Sequence, residues 1–513
     1  MDSLPFVLSG GEELCAYNGE IYSARSRCIH DAPPVNGPAE AQALKVWSSG
    51  GVDGMFAAAF ATRGSPKITL CRDGYGIKPL FYHVQSNGVT FASELAALVA
   101  ETSARANTSI TSLAQYLLFG RMLDRQTLYN DVYEVRPGDQ LEVQGSTISR
   151  LNALSPEDKL DFHVASQLGL ADCIRDAVVK CLISDHPIGI AVSGGIDSTI
   201  IANIVADEGI RDVQTFSVIT CGARDGIRSL GELALGAAVH PSWRHTVVEF
   251  GPYDLRDKLP EVVRRYGQPF RMSSMLLYDS LSAAVSAAEC RVLLTGEGAD
   301  ELFLGYDSYA QLFGRSRSLS SNAVLRRFYM DTRHARMIRG LLPESAWQEI
   351  EQQFMSWASR FDGKQSVDAL RSAERELSLE PLLLRSDVMM MSRSVEARMP
   401  FLHGSVASYA AQLHQQDLIK EQVTKYALRS AFSPYTNGLV KTPFRASLTT
   451  WFSGALRVWI SNKASKVQRC FTDLGFRSQP LRALFTQAID GNEAAASVAF
   501  SCIVLYEWLE TKG

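Results

Sequence analysis

Short runs of alternating apolar and polar residues dominate the first 150 positions of the chain. The segments PKITLCRD, LFYHVQ and VTFASE are separated by glycine, proline and asparagine, and RPGDQLEVQG adds a turn followed by another run. Alternation with a period of two, interrupted by turn residues, is typical of antiparallel strands. This part of the chain is therefore predicted to be rich in antiparallel β-sheet.

The pattern changes beyond a polar, proline-containing stretch at 152–162. There the apolar runs PIGIAVS, VQTFSVI, HTVVEF and RVLLTG alternate with helical segments such as 274–288, and helical periodicity dominates from about residue 315. Strands that alternate with helices favour a parallel, doubly wound sheet. We therefore expect two domains, covering residues 1–152 and 160–513.

Composition narrows the class of protein. The chain has 513 residues, too many for one hydrophobic core, with 46% hydrophobic and 21% charged residues and a net charge of −4. No basic excess points to nucleic acid, and no apolar run is long enough for a membrane span or placed as in a signal peptide. Nine cysteines without a C-x-x-C pair predict reduced thiols in a cytoplasmic protein.

The segment IAVSGGIDST carries the clearest chemical signal. A buried strand runs into Ser193, Gly194 and Gly195, and a helix is predicted to begin near Asp197 and Ser198. Two glycines allow a tight turn, so that backbone N–H groups and the helix N-terminus converge on an anion, and a carboxylate there suits Mg²⁺ that bridges phosphates. The motif is not a G-x-x-x-x-G-K-[ST] loop. It resembles the pyrophosphate-binding loop of the ATP pyrophosphatase superfamily, whose members adenylate an oxygen of the substrate.

A second motif follows the strand RVLLTG. The sequence EGADELFLGY places carboxylates where a predicted parallel strand ends, the edge at which doubly wound sheets bind ligands. It resembles G-E-G-x-D-E-x-F-x-G-Y of class B asparagine synthetases. RSDVMMMSRSVEARMPFL, KYALR and LVKTPF are similar to later segments of that family, and YNGEIY, DGMFAAAF, CRDGYGIKPLFY and FASELAAL resemble its glutamine-hydrolysing domain.

The resemblance covers nearly the whole chain and implies both a fold and site residues. The fold would be an α+β N-terminal domain, a degenerate glutaminase with antiparallel sheets, followed by an α/β synthetase domain with a helical C-terminal part. Lys441 would stabilise transition-state charge on the phosphates, and Glu297 would be the base that deprotonates the attacking amine. Asp197 and Asp300 would bind Mg²⁺. ATP would be held by Ser193, Gly194, Gly195, Asp197, Ser198, Val218 and Gly296.

Three further expectations concern side chains near this site. Many relatives have an aspartate at the position of Met272, so we expect an altered acceptor pocket in which Arg271 binds a carboxylate. Tyr306 is a second candidate for substrate contact, with a place in the core as the alternative. A structural network of ion pairs is expected among Arg385, Asp387, Glu396 and Arg398.

The N-terminal domain departs from the resemblance at its chemistry. Class B glutaminases use an N-terminal cysteine as the nucleophile, whereas this sequence has Asp2 at the corresponding position. Cys15 lies within the LCAYNGEIYS segment and cannot serve as an N-terminal nucleophile. The family's Gly-Ser-Asp stretch is replaced at 36–39. We therefore expect no glutaminase activity, with Asn18 and Glu20 retained for structure.

Three functions are compatible with this pattern. The substrate's own amine attacks its adenylated carboxylate, as in β-lactam synthetases of antibiotic and toxin pathways, which likewise lack the cysteine. Alternatively, free ammonia or another external amine attacks, giving an asparagine-type amide or a hydroxamate. A catalytically silent binding protein is disfavoured by the intact Asp197, Asp300, Glu297 and Lys441.

The first function places the chain in a separate branch. Clavam and carbapenam synthetases have a tyrosine at the position of Glu297, whereas this chain has a glutamate there, as asparagine synthetases do. The synthetase expected for the tabtoxinine β-lactam would fit a branch without that tyrosine. The expected partner is a small amino acid, not a nucleic acid or a membrane, and a homodimer is one arrangement to be tested.

Overall fold

The computed structural model describes most of the chain. The residues described are 6–8, 12–24, 52–153, 169–211, 213–221, 242–314, 319–439 and 444–512. Asp2, the 36–39 stretch, most of the predicted domain boundary at 152–162 and Lys441 lie outside these residues.

The described residues of the N-terminal part form two antiparallel sheets. One has the strand order β1-β2-β3-β4-β8-β9 and the other β6-β5-β7, which confirms the strands predicted from alternation. The strands are β1 (Phe6–Val7), β2 (Glu13–Ala24), β3 (Val52–Thr62), β4 (Lys67–Arg72), β5 (Phe81–Gln85), β6 (Gly88–Ala92), β7 (Val132–Glu134), β8 (Asp139–Gln144) and β9 (Thr147–Ala153). Two helices, α1 (Leu95–Thr102) and α2 (Ile110–Phe119), complete this part.

The segment YNGEIY lies in β2, where its glycine has a steric reason. Gly19 has φ of +138°, and a Cβ there would lie 1.9 Å from the Met55 carbonyl oxygen on β3. Only glycine allows the two strands to approach so closely.

The third sheet, in the C-terminal part, is entirely parallel. Its strands are β10 (Ile188–Ala191), β11 (Gln214–Thr220), β12 (Arg244–Phe250), β13 (Val292–Leu294) and β14 (Glu396–Arg398), in the order β12-β11-β10-β13-β14. The chain adds strands to one side of β10 and then crosses to the other side with β13. Ligands bind at such a reversal, outside the carboxyl ends of the strands. The predicted doubly wound α/β domain is confirmed.

Helices pack on this sheet and form the C-terminal part. They are α3 (Leu170–Cys181), α4 (Ile196–Asp207), α5 (Pro252–Tyr266), α6 (Ser274–Ala287), α7 (Ala299–Leu302), α8 (Asp307–Gly314), α9 (Ser321–Leu325), α10 (Arg333–Leu341), α11 (Glu344–Ala358), α12 (Ser366–Glu374), α13 (Glu380–Met391), α14 (Gly404–Ala411), α15 (Gln415–Leu418), α16 (Tyr426–Ala431), α17 (Ser433–Thr436), α18 (Leu448–Ser453), α19 (Arg457–Asp473), α20 (Ser478–Ile489) and α21 (Glu493–Glu510). Helix α21 is apolar around its circumference and buried along most of its length, as expected for a core helix.

Helix length and hydropathy also bear on membrane insertion. Within the described ranges no single helix is long and apolar enough to cross a membrane, and the one pair with sufficient combined length and hydropathy, α20 and α21, is bent by 119°.

Candidate active site

The loop between β10 and α4 is closed by its own serines. The Ser198 hydroxyl accepts a hydrogen bond from the Ser193 N–H at 3.1 Å, and the Gly195 N–H donates to the Ser193 hydroxyl at 3.3 Å. Gly194 has φ of +72°, a left-handed conformation that glycine adopts without strain. The loop thus forms a compact turn at the N-terminus of α4, where backbone N–H groups attract an anion.

The loop after β13 meets the first turn of α4. A Cβ at Gly296 would lie 2.7 Å from Cβ of Asp197, so a glycine is required where the two segments touch. Val218 is half-buried near the carboxyl end of β11, two positions beyond the residue that pairs with the last residue of β10. The structure thus brings Gly296 against the loop Ser193–Ser198, which we call the phosphate loop after its predicted role, and leaves Val218 along the same edge.

A buried lysine joins the two predicted Mg²⁺ ligands. The Lys425 ammonium lies 2.6 Å from both carboxylate oxygens of Asp197 and 2.6 Å from one oxygen of Asp300. Burial alone would lower the pKa of Lys425, but the two carboxylates outweigh that effect and raise the pKa above its ordinary value. Both aspartates therefore converge on one positive charge beside the phosphate loop.

The site lysine predicted from the sequence was Lys441, and Lys425 was missed. Lys441 lies outside the described residues, so its role stays a prediction. Lys425 opens the KYALR segment that carried part of the family resemblance. That segment was the available signal, but its position 228 residues from Asp197 hides the contact.

Gly305 leaves the space that the lysine and Asp300 occupy. A Cβ at Gly305 would lie 1.9 Å from an Asp300 carboxylate oxygen and 2.1 Å from Cε of Lys425. We expect Gly305→Ala to displace both groups and to lower ATP-dependent pyrophosphate release by about 100-fold, the cost of a displacement near 1 Å. Pyrophosphate release and thermal unfolding measure the effect.

Gly340→Ala is the matched control for Gly305→Ala. Gly340 lies inside α10, and a Cβ added to it would have no atom within 4 Å. Activity should therefore be unchanged, and the free energy of unfolding should rise by no more than about 0.5 kcal/mol, because alanine replaces glycine in the last turn of the helix rather than in its middle. Full activity in Gly305→Ala would contradict the close packing around Lys425.

Glu297 is held by donors from two helices. The Tyr278 hydroxyl of α6 donates to Oε1 at 2.8 Å, and Arg385 and Ser386 of α13 also donate to the carboxylate. The Arg385 guanidinium lies 4.0 Å from the centre of the Tyr278 ring. A carboxylate offers about four acceptor positions, so the three donors found among the described residues leave roughly one for a substrate amine.

The predicted ion-pair network among Arg385, Asp387, Glu396 and Arg398 is wrong for Arg385. Arg385 contacts Glu297 rather than the other three residues. Lys78 of the N-terminal domain takes its place, 3.1 Å from Asp387 and 3.7 Å from Glu396, and Glu396 also pairs with Arg398 at 2.9 Å. Sequence periodicity cannot reveal a partner that comes from another domain.

Tyr306 lies beside the site and is engaged within the protein. Its hydroxyl donates to Oε1 of Glu301 at 2.6 Å. Burial, assisted by the charge of Asp300, raises the pKa of Glu301 to about 7. The structure therefore assigns Tyr306 a contact with Glu301, and its contact with substrate stays a prediction.

Arg271 lies in the connection between α5 and α6. Its guanidinium donates to the Leu118 carbonyl, and its Nε is buried without a hydrogen-bond partner in the described part of the chain. Burial lowers the pKa of Arg271 to about 10. Within the described residues no carboxylate lies within ion-pair distance of it, which leaves a half-buried cation with one buried donor, Nε, unused.

Two family models match the chain, one for each domain. The family model described as asparagine synthase matches residues 169–510, and the model described as a glutamine amidotransferase domain matches residues 42–152. The first match spans the parallel sheet, the phosphate loop, Glu297 and Lys425.

Individual relatives are distant but extend over most of the chain. Asparagine synthetase [glutamine-hydrolyzing] 1 of Bacillus subtilis (strain 168) is 25% identical over 464 residues, covering 80% of this chain and 70% of the relative. A putative asparagine synthetase [glutamine-hydrolyzing] of Mycobacterium bovis is 25% identical over 461 residues, covering 79% and 69%. Amidase chry2 of Gibberella zeae is 23% identical over 500 residues, covering 82% and 74%. The chain belongs to the asparagine synthase family and is an ATP-dependent C–N ligase.

Proposed function

We propose that this ligase adenylates the carboxylate of an amino acid and lets an amine of the same molecule attack it, closing a cyclic amide of the β-lactam type in antibiotic or toxin biosynthesis. One observation supports the adenylation step: three groups of site residues lie together at one edge of the parallel sheet. They are the phosphate loop, Lys425 with its partners Asp197 and Asp300, and Glu297. Gly296 contacts Asp197 and is followed directly by Glu297, which places the three groups side by side.

The chemistry proceeds in two steps. A carboxylate oxygen of the substrate attacks the α-phosphorus of ATP, and pyrophosphate leaves against the loop at Ser193–Ser198 and the Lys425 ammonium, which offset its negative charge. The amine nitrogen then attacks the acyl carbon, Glu297 accepts the amine proton, and AMP leaves with the former carboxylate oxygen. Lys441 would add a second positive charge to this site.

Mg²⁺ fits the donors present. Asp197 and Asp300 supply hard oxygen ligands that already converge on one cation, and Mg²⁺ is commonly bound by one or two carboxylates together with phosphate oxygens and water. The described residues contain no cluster of three acidic, cysteine or histidine ligands, so a cage built from protein alone is not expected. When bound, Mg²⁺ would offset the charge of the triphosphate.

The source of the amine is inferred from the N-terminal domain. Cys15 is fully buried in β2, and burial raises its pKa to about 12, so it does not supply a thiolate. Glu20 lies 3.2 Å from Arg398 of the synthetase domain, which agrees with its expected structural role. These contacts support an amine that does not come from glutamine.

Pyrophosphate release tests the proposal. The protein is incubated with ATP, Mg²⁺ and a panel of α- and β-amino acids, with and without ammonia or glutamine, and the product is identified by mass. A product lighter than the acid by one water, formed without added amine, is the expected result. Turnover that requires ammonia would instead establish the external-amine alternative, which is favoured by relatives named asparagine synthetases. Glutamate formed from glutamine would overturn the proposed loss of glutaminase activity.

Arg271 is proposed to bind a carboxylate of the substrate, because its half-buried side chain has no carboxylate partner among the described residues and its Nε donor is unused. We expect Arg271→Met to raise KM for the acid by about 10- to 100-fold, because that factor corresponds to the free energy of one hydrogen bond to a charged group. KM for ATP should be unchanged. Steady-state kinetics with the best acid of the panel measure it. Arg264→Met, at an exposed position of α5, is the control, and equal KM values in the two variants would exclude this role.

A further inference from the structure

Lys78 of the N-terminal domain contacts α13, the helix that holds Glu297 of the synthetase site. We infer that Lys78 is a positioning residue for Glu297, because its ammonium holds the helix whose Arg385 and Ser386 anchor the Glu297 carboxylate. The inference rests on the proposed function only for the chemistry of Glu297.

The loop that presents Lys78 is held from two sides. The buried Asp73 carboxylate accepts four backbone N–H groups at 3.0–3.2 Å, those of Phe56, Tyr75, Ile77 and Lys78. The buried Arg72 donates through Nε to the Lys78 carbonyl at 2.8 Å. Both peptide groups of Lys78 are thereby tied to the N-terminal sheet, and its side chain leaves from a defined point.

The Lys78 side chain crosses to the synthetase domain without reaching water. It is 1% exposed, and its ammonium lies 3.1 Å from Asp387 on α13 and 3.7 Å from Glu396 on β14. Replacing a buried ion pair by apolar groups is often neutral for stability, so a contribution to stability does not by itself explain why Lys78 and Asp387 form a buried pair. A charged pair does fix the relative position of the two elements that it joins.

Both elements flank the loop that carries Glu297. Strand β14 pairs with β13, and the Thr295 N–H donates to the Arg398 carbonyl at 2.9 Å as the loop begins. On α13, Ser386 directly precedes Asp387, and Arg385 precedes Ser386. A displacement of α13 at Asp387 therefore moves two of the three donors to Glu297.

Hydrogen exchange and kinetics of Lys78→Met test the inference. Amide exchange is expected to rise about tenfold in α13 and in residues 295–298, but not at the start of α4, because only the former are tied to Lys78. With the best acid of the panel, amide formation should fall by about 10- to 100-fold, while pyrophosphate release in the first turnover stays within about twofold.

Three variants keep this test decisive. Lys67→Met removes an exposed ion pair with Glu142 in the same domain and should leave exchange and rate unchanged. Lys78→Arg keeps the charge and should restore most of the rate. If Lys78→Met does not fold, Lys78→Met/Asp387→Asn, which leaves neither member of the closer pair charged, replaces it.

The outcomes separate this inference from the proposed function. Unchanged exchange in α13, or equal losses in pyrophosphate release and amide formation, would overturn the positioning role. A wild-type rate of amide formation in Glu297→Gln would overturn the role of Glu297 itself, and the exchange result would still decide whether Lys78 holds α13.

Discussion

Lys425→Met is expected to lower ATP-dependent pyrophosphate release by about 100- to 1,000-fold, the cost of losing one preorganised donor to a developing charge. The wild-type Lys425 side chain is 4% exposed, and its ammonium contacts Asp197 and Asp300. Without it, two carboxylates face each other and the phosphates of ATP with no lysine ammonium between them. Removing the lysine also lowers stability, but by less than the about 3–5 kcal/mol of a fully buried pair, because the side chains of Asp197 and Asp300 are 20% and 22% exposed.

Two measurements distinguish these effects. Pyrophosphate release at saturating ATP reports the chemistry, and thermal unfolding reports the stability. Lys420→Met is the matched control, since Lys420 is exposed and its ammonium contacts the hydroxyl and ring of Tyr426, away from both aspartates. A folded Lys425→Met protein with the wild-type rate would refute the role of this lysine and return the assignment to Lys441.

Glu297→Gln is expected to lower amide formation by about 100- to 10,000-fold, the usual contribution of a general base. Adenylation precedes the proton transfer, so exchange of pyrophosphate into ATP should persist. The substitution keeps the size of the side chain but presents an amide to Arg385, Ser386 and Tyr278, which reduces its use as an acceptor.

Product formation and pyrophosphate exchange are measured side by side for this variant. Glu289→Gln, at an exposed position shortly before β13, is the control and should behave as wild type. An unchanged product rate in Glu297→Gln would show that the proton goes to another group. If both pyrophosphate exchange and product formation are lost, Glu297 acts in the adenylation step instead.

Local patterns predicted the elements well. The alternating runs became β4, β5, β6 and β8, and the strand–helix alternation became the parallel sheet around β10. Period-two and period-3.6 patterns report which face of a strand or helix is buried, and that information lies within a few neighbouring residues. The phosphate loop was predictable for the same reason, because strand, turn and helix start are contiguous.

Site assignments were less complete where partners are distant in sequence. Arg385 was expected in an ion-pair network and instead contacts Glu297, 88 positions away. Lys78 meets Asp387 across 309 positions. The charges themselves were visible in the sequence, but which opposite charge each one meets depends on how two domains pack.

The sequence by itself determined the alternation of strands and helices in the second domain, the glycine-rich turn between β10 and α4 and the presence of carboxylates after β13, because each depends on residues adjacent in the chain. Only the tertiary structure decided that Lys425 joins Asp197 to Asp300, that Arg385 and Tyr278 hold Glu297, and that Lys78 reaches α13. Burial supplies the physical reason. Charged groups removed from water must find partners, and the partners available are those that the packed domains bring within a few ångströms.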